Sequence, residues 1–170
     1  MSAATLKSTA LGDLDHELAT TRRLLERVPE DKLAWKPHEK SMSLGRLAMH
    51  LAELPRLQST VLADDFLDLE TLGSRPMRSA TSRAELLAEF DGNVAAMRQH
   101  LAGASDQTLA SSWAVRRGDK VLLTQPRAAA MRSLGINHIV HHRGQLSVYL
   151  RLLDVPLPPM YGPTADEAFP

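Results

Sequence analysis

The run NHIVHHRGQ, residues 137–145, crowds three of the chain's seven histidines into five positions. An α-helix turns about 100° per residue, so the direction of each side chain follows from its place in the sequence. With His138 as the origin, Met131, Leu134, His142, Gln145, Tyr149, Leu152 and Leu153 fall within about 60° of it. Ser133, Ser147 and Arg151 fall opposite. The spacing predicts a helix that turns His138 and His142 inward, one turn apart, and sets His141 aside on the flank. Pro126 suits the first position of this helix, which is expected to end near Leu153.

Three more stripes stand upstream. Leu11, Leu14, Leu18, Thr21, Leu25 and Val28 recur at steps of three and four and predict a first helix closed by Pro29. Trp35 is expected to pack in the turn that follows. Ser41 or Ser43 can cap a second helix with the stripe Leu47, His50, Leu54, Leu57 and Val61, bent at Pro55. Ser82 and Glu85 have capping-box spacing ahead of the third stripe, Leu86, Leu87, Phe90, Val94, Met97 and Leu101. WAVRRGDKVLL reads as a short hairpin turning at Gly118-Asp119. DDFLDLETLGSRPMRSA reads as an irregular connection and DVPLPPMYGPTADEAFP as an extended, proline-rich tail. The expected fold is all-α: a four-helix bundle with a short hairpin between helices three and four, in one domain over residues 1–170.

Composition excludes several classes of function. Twenty basic residues balance twenty acidic ones, so no excess field draws the chain to nucleic acid or to a membrane surface. Cysteine is absent, which removes disulfides, thiolate metal sites and cysteine nucleophiles. No signal-peptide core or spanning apolar run is visible, and the expected location is the cytoplasm.

His50 shares its helix face with Leu47, Leu54, Leu57 and Val61, so three inward imidazoles come from two helices. Spacing alone leaves two readings open. Either each is a core histidine bonded to a main-chain carbonyl, or the three surround one cation. The other histidines point elsewhere: His16 lies about 160° from its helix's stripe, His38 sits in a turn and His100 ends the third helix. HIVHH is not a metalloprotease motif, because Ile139 stands where the glutamate base is required.

Four stretches together carry a resemblance: WKPHEKSMS (35–43), SMSLGRLAMHLAE (41–53), INHIVHHRGQLSVYLRLLDVPLP (136–158) and MYGPTADE (160–167). They resemble the DinB-like (damage-inducible) family of small metal-binding four-helix proteins, over nearly the whole chain. The resemblance implies that His50 from the second helix joins His138 and His142 from the fourth around one divalent metal per chain. Zinc or nickel is expected first, and iron, manganese or copper also suits imidazole. Members of the family include transferases and isomerases that use small thiols.

Three imidazoles leave a coordination position open, the arrangement of a catalytic zinc rather than a structural one. The expected function is therefore a metal-dependent enzyme. It would act on a small molecule, as a transferase with a low-molecular-weight external thiol or as a hydrolase. The competing reading is a noncatalytic metal-binding or stress-sensor module whose ion stabilises the bundle. No catalytic residue is identifiable beyond the metal. Glu53, about 60° round the helix from His50, is a fourth ligand, a second-layer partner, a base or simply a solvated carboxylate. Gln145 and Tyr149 are expected to line the pocket, with Gln145 alternatively bonding a ligand histidine. Ile139, Val140 and Val148, apolar and off the metal face, suggest a homodimer, unless the bundle buries them itself.

Overall fold

The computed structural model describes residues 5–74 and 76–168. The first apolar stripe folds as two helices, α1 (Leu6–Leu11) and α2 (Leu14–Leu25), instead of one. The break falls at Gly12, where a side chain's Cβ would stand 2.7 Å from the Ser8 carbonyl oxygen. All six residues of the stripe are nevertheless buried, Val28 beyond the last α-helical turn included.

The second stripe becomes α3 (Leu44–Ala63), capped by Ser43, whose hydroxyl accepts from the Arg46 amide at 3.2 Å. It continues through the buried Pro55. The third becomes α5 (Arg83–Gly103), after a single short turn, α4 (Leu69–Gly73). Ser82 caps α5 through the Glu85 amide at 3.1 Å. The reciprocal bond of the capping box is displaced by one residue, because the Glu85 carboxylate accepts from the amide and hydroxyl of Thr81.

After α6 (Asp106–Ala110) the hairpin forms from β2 (Ser112–Arg117) and β3 (Lys120–Pro126). Its turn holds Gly118 at φ +57°, a left-handed conformation that glycine adopts without a Cβ penalty. A third strand was not legible in the sequence. β1 (Phe66–Asp68) pairs in parallel with Ala114, Val115 and Arg116, giving the sheet order β1-β2-β3. Three residues are too few to show alternation, and their partners lie far along the chain.

Pro126 ends β3 and caps the next helix from outside, so Arg127, not Pro126, is the first helical residue. The fourth helix then has three parts: α7 (Arg127–Ala130), a π-helical stretch (Met131–Ile136) and α8 (Asn137–Leu152). The core sits between α2, α3, α5 and α8 and is built mainly of leucine. No helix follows Leu152 among the described residues; Leu157, Pro158 and Pro159 of the tail are buried. None of the described helices is long and apolar enough to cross a membrane.

The core face of α8 differs from the expected one. Its buried residues are Ile139, His142, Arg143, Leu146 and Leu150, a stripe centred about 100° round from His138. His138 therefore stands at the edge of the core rather than at its middle. Leu152, expected inside, is 58 % exposed. Ile139, expected as part of a partner surface, is fully buried in the chain's own core, and Val140 is partly buried against it.

Candidate metal centre

α3 brings His50 and α8 brings His138 and His142 to one point. The Nε2 atoms of His50 and His142 lie 3.1 Å apart, and those of His138 and His142 lie 2.9 Å apart. Among the described residues these three form the one group of candidate ligand atoms that converge within 4.8 Å of one another. His142 is buried and the other two are half-buried.

The proton positions follow from the remaining ring nitrogens. His142 Nδ1 lies 2.7 Å from Gln145 Oε1, an acceptor, so Nδ1 carries the proton and Nε2 the lone pair. The main chain of Leu134, within the π-helical stretch, acts on the His138 ring to favour its charged form. His142 Nε2 thus turns its lone pair towards His138 Nε2 at 2.9 Å and His50 Nε2 at 3.1 Å. Nitrogens about 2.0–2.1 Å from one ion stand about 2.9–3.3 Å apart at octahedral to tetrahedral angles, so the donor set fits a metal.

Electrostatics keep the donors neutral. Burial pushes the His50 imidazole down from 6.5 to about 3, helped by His142, His138 and the Arg46 charge. Burial likewise lowers His142 and His138, against the hydrogen bonds from Gln145 and Leu134 respectively. Unprotonated imidazoles are the form that ligates.

The other residues singled out from the sequence are placed as follows. His141 is exposed, its ring edge-on to that of His142 with centroids 4.9 Å apart, and outside the converging group. His16, His38 and His100 are exposed and do not join the converging group. Gln145 is exposed and bonds His142. Glu53 is no solvated carboxylate: its side chain is 14 % exposed and lies between Arg46 at 3.6 Å and Arg56 at 3.7 Å. It lines the cavity but does not join the three histidines. Tyr149 lies outside that cavity; its hydroxyl donates to the Met42 carbonyl at 3.3 Å and its ring meets Trp35 edge-on at 5.7 Å.

That cavity, about 990 Å³, opens onto His50 and His138. Its walls come from α3, β1 and α4 and include Leu54, Leu57, Leu67 and Leu72.

Two positions of the 137–145 run have roles that spacing did not disclose. Arg143 is buried and pairs with Glu17 of α2 at 2.6 Å, donating also to the Glu17 carbonyl at 3.1 Å. The Tyr161 hydroxyl donates to the same carboxylate, at 2.9 Å to Oε1, and the Arg143 guanidinium lies 5.1 Å from the Tyr161 ring. The tail is thereby tied to α2 and α8 together. The signal was Glu17, a carboxylate between Leu14 and Thr21 on a buried stripe. Arg127 is the second case: buried, it donates to the carbonyls of Val61 and Asp64 and caps the C-terminus of α3.

The helical bundle carries three converging imidazoles, a group able to hold a metal ion. The chain belongs to the DinB family, whose sequence profile matches residues 1–168. Two solved structures share the fold. A DinB-like protein from Bacillus cereus superposes with TM-score 0.70 at 20% identity, over 89% of this chain and 95% of that one. A DinB-like protein from Bacillus subtilis gives 0.67 at 20% identity, over 90% and 97%. At that identity the likeness bears on the fold alone. No match was found among curated proteins.

Proposed function

We propose that the chain is a metal-dependent enzyme in which His50, His138 and His142 hold one divalent ion, zinc or nickel, beside a substrate cavity. One observation carries the reading: three imidazole Nε2 atoms converge, at 2.9 and 3.1 Å, where a cavity of about 990 Å³ opens onto the site. A closed four-ligand site would favour a noncatalytic module whose ion holds the bundle together. No fourth histidine, aspartate or glutamate joins the group among the described residues, which supports the catalytic alternative.

A divalent ion in such a site supplies an acidified water or a stabilised thiolate. The chain's part is to orient and to exclude water. Gln145 fixes the His142 tautomer, and the leucine walls shelter the reacting groups. Because the chain has no cysteine, a thiol reaction requires a small external thiol. Transfer of such a thiol to an electrophile is the first reaction proposed and hydrolysis the second, in a reducing cytoplasm.

A homodimer is part of the proposal. With Ile139 in the core, its apolar support is Val148 and Leu152, one turn apart and 57 % and 58 % exposed. A monomer by light scattering at micromolar concentration would remove it.

The test is metal analysis of purified protein together with a turnover screen against thiol–electrophile pairs and esters. About one divalent ion per chain and turnover lost in His138→Ala are expected. Full occupancy in His138→Ala would overturn the ligand assignment, and a metal-loaded protein inert to every pair would favour the noncatalytic module.

A further inference from the structure

The two helices that carry the histidines meet at a second contact. Along α3 it is eight residues from His50 to Gln58, and along the fourth helix seven from His142 back to Gly135. The pair therefore runs antiparallel and in step. Imidazoles form one contact and Gln58 against Gly135 forms the other, about 12 Å further along α3. Gln58 is fully buried, and neither Nε2 nor Oε1 of its amide has a hydrogen-bond partner among the described residues. A buried amide without a partner is unfavourable, and an apolar side chain of similar length would fill the same space at lower cost. Hydrogen bonding does not account for the burial of Gln58.

The contact it makes does. Gly135 is buried in the π-helical stretch, and its φ is not positive, so the main chain itself does not call for glycine. The neighbour does: a Cβ would stand 2.5 Å from Gln58 Nε2, 2.7 Å from Cγ and 3.0 Å from Cδ. The bare main chain of the widened turn thus rests directly on the glutamine side chain. Across the same turn the Asn137 amide donates to the Arg132 carbonyl, five residues back. His138 is the next residue along.

We propose that Gln58 is a positioning residue for the metal centre: by seating Gly135 it maintains the widened turn and fixes how far His138 and His142 stand from His50. The inference rests on the reading of these three histidines as the ligand set. Gln58 acts through the main chain of the turn, not on a ligand atom. Because α3 carries both His50 and Gln58, a change in the depth of the seat alters the gap that the imidazoles must close. Metal–ligand distances hold to within about 0.2 Å, so a small displacement at the seat is enough to weaken binding.

Cobalt(II) titrated into the chelator-treated full chain tests this. The visible spectrum reads affinity and coordination geometry, and amide hydrogen exchange reads the turn without metal. Gln58→Ala is expected to weaken cobalt binding roughly tenfold or more, to alter the spectrum, and to speed exchange of the Asn137 amide by a similar factor. Gln58→Met keeps the length and removes the unpaired amide. It should melt no lower than wild type and keep both its cobalt affinity and its Asn137 protection. Leu25→Ala, a core truncation on α2, gives a destabilised chain with the seat intact, and should keep the wild-type affinity and spectrum. Wild-type affinity, spectrum and exchange in Gln58→Ala would overturn the proposal. So would an equal loss of affinity in Leu25→Ala, because the effect would then be one of general stability. A Gln58→Met chain as weak as Gln58→Ala would overturn it too, since shape would not be what positions the ligands. A wild-type chain that takes up no cobalt would sink the ligand assignment instead, with exchange at Asn137 showing separately whether Gln58 holds the turn.

Discussion

Arg143→Ala is expected to cost about 3–5 kcal/mol of folding stability, although the residue makes no contact with a ligand atom. The side chains of Arg143 and Glu17 are 1 % and 5 % exposed and meet at 2.6 Å, so solvent screens neither. Truncating the arginine leaves the Glu17 carboxylate in the interior with the Tyr161 hydroxyl as its remaining side-chain donor. A lone buried charge is far costlier than the pair was favourable, and this asymmetry gives the prediction a second arm. Glu17→Met with Arg143→Leu removes both charges at similar volume, and the double variant should return to within about 1 kcal/mol of wild type or exceed it. Urea unfolding followed by far-UV circular dichroism reads both arms. At about 2–4 °C per kcal/mol for a chain of this size, the single variant should melt about 6–20 °C lower. A single-variant loss below about 1 kcal/mol, or a double variant as unstable as the sum of its singles, would refute the assignment of a coupled buried pair.

Four further outcomes are expected. His141→Ala should keep its metal and His142→Ala should lose most of it; the reverse result in metal analysis would mean that the i, i+3 pair is the one that grips. Chelation should leave the helical dichroism intact and lower the melting temperature, with a smaller gap in His50→Ala; a saturating ion adds roughly 4 kcal/mol at a thousandfold excess over Kd. In the metal-free protein the three histidines titrate below their unfolded value of 6.5, His50 at about 3. As pH falls through 6.5 the unfolded chain takes up protons first, so stability present above that pH should be lost between it and the folded values; a flat melting temperature from pH 7 to 5 would count against neutral, buried imidazoles. Gly135→Ala should cost about 1–3 kcal/mol by overpacking, because its Cβ would lie 2.5 Å from Nε2 of the buried Gln58. Adding Gln58→Ala should recover part of that loss in a melting assay, and a neutral Gly135→Ala alone would show that the neighbour yields freely.

The four stripes were legible because long helices repeat their apolar positions many times. The three converging histidines were legible because two independent faces each carried histidine. The orientation of α8 was not. Arg143 scores as polar, yet it lies with Ile139, Leu146 and Leu150 on the buried side because Glu17 waits for it there. Upstream of His138 a π-helical stretch turns less per residue than the 100° assumed, yet Met131 is buried as expected. β1 was too short to carry a pattern. Glu53 and Arg46 have positions visible in sequence, but their shared charge depends on Arg56 and on the cavity wall.

The widened turn at Met131–Ile136 has a consequence for how the site could be lost. The helix is clamped before it by Arg127, which holds the end of α3, and after it by Arg143, which holds α2. The stretch between the clamps therefore acts as a phase adjuster, absorbing the mismatch between two fixed azimuths. Deleting one residue there would leave His138 and His142 four positions apart and every ligand still written in the sequence. A regular helix could then satisfy one clamp only, turning the imidazoles away from His50 or pulling Arg127 off its carbonyls. Such a chain would keep the spelling of the motif and lose the geometry that makes it a site.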